Sequence, residues 1–146
     1  MRRDLTRPAV LGGFDGTASL LGVIIYLLFS HPVLIFPAAV SGASSAAVSM
    51  GGAQWLSDSG KGFGPSLVMA AATFTGAILP AVPFALGTGP AAVAEAGVLC
   101  AGICFTVAAL RDTARYGIAL LETFGILAAV VTVTVICGLF LPGGGG

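Results

Sequence analysis

Three carboxylates stand among apolar neighbours: Asp15 in GGFDGTASLLGV, Glu95 in AAVAEAGVL and Glu122 in ALLETFGIL. In a chain that crosses a bilayer, an ionised side chain near the centre of a span costs at least ~2.5 kcal/mol on insertion scales. Such a group needs a partner, a water-filled cavity or an ion path, or else it takes a proton, because burial favours its neutral form. A bound cation reverses that preference, and exchanging a proton for a metal ion requires this competition. Asp15 lies about two turns into an apolar run beside Gly13 and Gly16, so it can reach a vestibule. Glu122 follows Arg115 by about two turns, close enough to the interface to pair with a basic side chain or sit among headgroups. Glu95 falls near the outer end of its run.

Softer groups accompany them. Met50 offers a thioether beside the small residues Gly42 and Ala46, where a methionine serves as packing filler or as a soft metal ligand. Ser41, Ser45 and Ser49 recur every four residues and share one helical face. Serine hydroxyls can bond the carbonyl four residues back, so this polar stripe is compatible with plain membrane packing. Cys100 and Cys104 also share a face, as small core hydrophobes or as a soft-metal contact. Pro80 and Pro83 each remove a backbone donor and release a carbonyl, which predicts a kink and a carbonyl in need of water, a neighbour or an ion. No histidine cluster, paired catalytic acids or nucleophile–base set is present, and His31 is the only histidine, so an enzyme is not expected.

The elements that must position these groups follow from composition. Of the 146 residues, 57% are hydrophobic and 8% are charged, too few charges to cover a water-soluble domain. The net charge is zero, which gives nucleic-acid binding no electrostatic support. Membrane helices need about 20 mostly apolar residues, and five stretches supply them: 8–30, 32–56, 65–86, 90–110 and 117–141. The expectation is an all-α, polytopic bundle of five transmembrane helices forming a single transmembrane domain over residues 1–146. Breaks fall at Ser30-His31-Pro32, Asp58 to Gly62, Gly87 to Pro90 and Arg111 to Arg115, with a glycine tail after Pro142. The positive start resembles a signal peptide, but the following run carries Asp15 and more spans follow, so a retained first helix is expected.

Five spans place Arg2, Arg3, Arg7, Lys61, Arg111 and Arg115 on one side and no basic residue on the other. Cytoplasmic loops carry the Lys/Arg excess, which puts the N-terminus in the cytoplasm. An Ala/Gly-rich chain without organellar targeting suits a bacterial plasma membrane. Gly12 and Gly16 form a GxxxG pair, read either as close packing within one bundle or as a face for dimerisation.

Taken together, these segments resemble the vacuolar iron transporter family. The resemblance rests on the Asp-Gly pair of GFDGTASLLGV, on Ser49-Met50-Gly51-Gly52-Ala53-Gln54-Trp55, and on the Gly-Ala-x-x-Pro-x-x-Pro-aromatic pattern from Gly76 to Phe84. It covers the first three helices in order and spacing, and the last two in hydropathy only. It implies a homodimer of five-helix subunits that moves ferrous iron or manganese out of the cytoplasm in exchange for protons, with no permanently bound cofactor. Asp15 and Met50 would be the metal ligands, each contributed twice. Ser45, Ser49, Gln54 and Glu122 would line the pathway. The chain departs from the family in lacking the glutamate-rich cytoplasmic domain between the second and third spans. Gly42 and Gln54 also stand where the family has acids. The alternative is a membrane scaffold or regulator that retains the fold without transport.

Overall fold

The computed structural model describes residues 3–58, 63–111 and 115–140. Arg2, Lys61, Asp112, the glycine-rich part of the second link and the tail after Phe140 lie outside them. The described chain is helical: α1 (Arg3–Ser30), α2 (Ile35–Ser57), α3 (Phe63–Ile78), α4 (Pro83–Leu86), α5 (Pro90–Arg111) and α6 (Tyr116–Phe140). Two 3₁₀ turns, Pro32–Leu34 and Leu79–Ala81, precede α2 and α4. Five helical stretches are long and apolar enough to cross a membrane: Leu5–Ser30, Pro32–Ser57, Phe63–Ala81, Pro90–Arg111 and Tyr116–Cys137.

The boundaries follow local chemistry. α1 begins before Pro8, adding a polar turn ahead of the apolar run. His31 adopts an extended conformation ahead of Pro32, as the proline ring demands, and the chain then enters a 3₁₀ turn with proline at its start. The expected helix over 65–86 is not continuous. It ends at Ile78, passes through the 3₁₀ turn that contains Pro80, and restarts at Pro83. The prolines cause this break, since neither can donate to the carbonyl four residues earlier.

Those carbonyls are satisfied inside the protein. The carbonyl released by Pro80 belongs to Gly76, and the Thr17 hydroxyl of α1 lies 2.9 Å from it and 2.9 Å from the Gly13 carbonyl. The carbonyl released by Pro83 belongs to Leu79 and accepts the Val82 N–H at 3.3 Å. The kink is therefore settled by a neighbour and a tightened turn.

Thr17 can reach Gly76 because α1 and α3 approach unusually closely, and the approach is made by glycine. A Cβ at Gly12 would fall 2.5 Å from the Met69 carbonyl. One at Gly16 would collide with the Thr73 carbonyl, and one at Gly76 with the Gly13 carbonyl. The GxxxG pair thus faces α3 of the same chain, which decides between its two readings. Thr73, fully buried in this contact, donates to the Met69 carbonyl at 2.8 Å.

The hydrophobic core is concentrated toward one end of the bundle. It joins Leu20 and Ile24 of α1, Ile35 and Ala39 of α2, Ala77 and Ala81 at the kink, and the start of α5. Trp55 and Phe63 meet edge-on, ring centroids 6.0 Å apart, where α2 gives way to α3. Large apolar side chains cover the outside: Phe29, Val48, Leu56, Leu121 and Phe140 are each at least 75% exposed. Leaving such groups in water forfeits about 1.5–3 kcal/mol apiece relative to burial. A surface of this kind is stable against lipid.

Candidate functional site

α1 presents two working faces. One carries Gly12 and Gly16 and seals against α3. The other carries Leu11, Asp15, Ala18 and Ser19, spaced by three or four residues so that they stack along one side. α2 and α6 flank this second face and leave a cleft of about 450 Å³. Its walls are Leu11, Phe14, Asp15, Ala18 and Ser19 of α1, Met50 of α2, and Ile126 and Val130 of α6. The two residues proposed as metal ligands, 35 positions apart in the chain, thus share one cavity.

Asp15 lies ten residues beyond Leu5, where the first span begins. At 1.5 Å per residue this is roughly 15 Å along the helix, near mid-depth of a ~30 Å hydrocarbon layer. Asp15 and Met50 are both half-buried. Among the described residues the one ion pair is Arg111–Glu122, and none of their basic side chains pairs with Asp15. The cleft therefore holds a hard oxygen donor and a soft sulfur donor, with the Ser19 hydroxyl one turn beyond the carboxylate. Among the described residues no three His, Cys, Asp or Glu side chains converge in the manner of a metal site. One copy of the chain offers one carboxylate and one thioether, short of the four or more ligands a divalent transition metal ordinarily takes.

The remaining candidates are placed elsewhere. Glu122 bonds Arg111 across α6 and α5 at 2.9 Å, with both side chains substantially exposed. This is the pairing with a basic neighbour that its position near Arg115 allowed. The Gln54 amide donates to Asp58 at 2.8 Å, one turn along α2 and away from Met50. Ser41, Ser45 and Ser49 lie exposed on α2, outside the walls of the Asp15–Met50 cleft. Gly42 faces Leu20 of α1, with 3.8 Å from its would-be Cβ to the nearest leucine carbon. Glu95 is exposed on α5. Cys100 and Cys104 are buried free thiols within the packed face of α5, beside Ala96 and Ala108. Pro80 and Pro83 form the kink described above.

Sequence reasoning singled out neither Ser19 nor Thr17. Ser19 was legible, being four residues beyond Asp15 and hence on its face. Thr17 required knowing which helix lies against the proline kink. Ile126 and Val130 carry no chemical signal and join the site only because α6 packs on α1.

No family model matches the chain, and no match is found among curated proteins or solved structures. Fold and site thus define a class, a helical protein with five candidate membrane spans and a cleft lined by a carboxylate and a thioether.

Proposed function

We propose that the protein is a membrane carrier for a divalent transition metal ion, ferrous iron or manganese, working as a homodimer that exchanges the ion for protons. The observation that carries this reading is the cleft shared by Asp15 and Met50, which holds at bilayer depth a carboxylate with no ion pair among the described residues. A carboxylate kept there against a cost of ~2.5–3.5 kcal/mol is accounted for by a cation or proton that visits it. The oxygen–sulfur pair suits ferrous iron better than magnesium or calcium. Two donors per chain argue for a second copy across the cleft, doubling the set to two carboxylates and two thioethers. The resemblance of the first three helices to the vacuolar iron transporter family supports the same reading. The charge rule supports an N-terminus in the cytoplasm, with a bacterial plasma membrane as the setting.

The second reading is a bundle that keeps this fold as a scaffold or regulator without moving ions. Two observations favour it: Gln54 is engaged with Asp58, and no acid stands at Gly42.

One experiment separates the two. Purified protein is reconstituted into liposomes enclosing a metal-quenched dye, and ferrous or manganous ions are offered across a pH gradient. The carrier reading expects quenching well above that of empty vesicles, lost in Asp15→Asn and strongly reduced in Met50→Leu. Quenching no faster than in empty vesicles ends the carrier reading. Transport that survives both substitutions ends the site assignment.

A further inference from the structure

A second cleft, of about 250 Å³, lies beside the first, with Leu11, Phe14 and Ile126 forming walls of both. Val10 of α1 and Val107 of α5 complete its apolar lining, Thr123 of α6 lies at its floor, and Arg111 stands at one end. Thr123 is buried, and its hydroxyl is spent on the Ala119 carbonyl at 2.7 Å. The interior therefore offers an incoming molecule hydrocarbon walls and no free donor. The polar end carries the Arg111–Glu122 ion pair, with Arg7 adding a further positive charge. The Arg111 guanidinium gives one N–H to Glu122 at 2.9 Å, and a guanidinium carries five donors. Arg7 is exposed one turn before Val10 and Leu11, on the same face of α1, at the same end of the bundle.

The cleft wall offers a metal ion no carboxylate, thiol, thioether or imidazole. Its volume of about 250 Å³ falls just below the ~300 Å³ at which pockets for whole small molecules begin. What fits is a single hydrocarbon chain below a negatively charged head. Basic pockets between transmembrane helices on the cytoplasmic side hold anionic lipid headgroups for the same reason. We infer that the cleft between α1, α5 and α6 seats the headgroup-proximal part of one acyl chain of an anionic phospholipid, whose phosphate is held by Arg111 and Arg7. The inference does not rest on the transport reading, and a protein that moves no ion would still bind the lipid.

The test is lipid retention in native mass spectrometry of the full chain. Detergent-purified protein is titrated with phosphatidylglycerol or with phosphatidylcholine of identical acyl chains. Phosphatidylglycerol is expected to be retained at least about five-fold more tightly, the factor corresponding to one basic contact. Arg111→Gln should lower its affinity about five-fold. Val10→Trp fills the cleft and leaves every charge in place, and it should remove the preference for phosphatidylglycerol. Ile126→Trp, at the half-exposed lip, repeats that test at a site where added bulk does not threaten folding. Equal retention of the two lipids by the unaltered protein overturns the inference. So does undiminished phosphatidylglycerol binding by a folded Val10→Trp or Ile126→Trp protein, which would reduce the effect to general attraction at a basic surface.

Discussion

Replacing Thr17 with valine removes one hydroxyl and keeps the shape of the side chain. The hydroxyl sits 2.9 Å from the Gly76 carbonyl, whose usual partner four residues ahead is Pro80, a residue with no N–H. Thr17 is only 1% exposed, so water does not take its place. A buried acceptor left unsatisfied costs about 1–3 kcal/mol, whereas side-chain hydrogen bonds inside membrane proteins average ~0.6 kcal/mol and reach ~1.7. Thr17→Val is thus expected to cost about 1.5 kcal/mol, near the upper end of the membrane range, because the site is closed to water. The reasoning has a sharper consequence in a double-mutant cycle. Pro80→Ala restores an N–H that can reach the Gly76 carbonyl. In that background Thr17→Val should cost no more than about 0.5 kcal/mol, a coupling of about 1 kcal/mol. The assay is reversible unfolding in mixed micelles followed by the fluorescence of Trp55, the only tryptophan. Equal costs for Thr17→Val in the two backgrounds would refute the proposed link between the kink and α1.

Other expectations follow from the same contacts. Gly16→Ala should destabilise severely, by more than about 2 kcal/mol, because the new methyl meets the Thr73 backbone and not a movable side chain. Gly13→Ala, whose added carbon would lie 3.9 Å from the Ala72 carbonyl, should change stability by less than about 0.5 kcal/mol in the same unfolding assay. Glu122→Gln should shift stability by under about 1 kcal/mol, since the Arg111–Glu122 pair has side-chain exposures of 39% and 52%. If the cleft is covered by a second copy, Ser19→Cys at its exposed lip should cross-link to a dimer on non-reducing gels. Gly16→Cys should not cross-link, because it points into α3; a dimer formed at Gly16 alone would reverse the assignment of these two faces.

The existence of five apolar spans could be read from the chain, though not the break that divides the third into two helices. Apolar runs of sufficient length, broken at Ser30-His31-Pro32 and at the glycine- and proline-rich Gly87 to Pro90, leave the backbone one way to satisfy itself in lipid. The kink was legible for an equally local reason, since proline lacks a donor wherever it stands. Asp15 announced itself through the cost of a carboxylate among apolar neighbours. The pairing of helices was not legible, because small residues promote any close approach and the hydropathy of a span does not name its neighbour. Only the tertiary structure turned Gly12 and Gly16 onto α3, brought Thr17 to the carbonyl that Pro80 left open, and left Asp15 and Met50 on a shared wall. Glu122 shows the limit most plainly. Its position allowed a basic partner, a headgroup or an ion path, and the packing of α6 against α5 gave it Arg111. Sequence fixes what each side chain must avoid in a bilayer; which neighbour relieves it depends on contacts between distant segments, and those exist only once the bundle has packed.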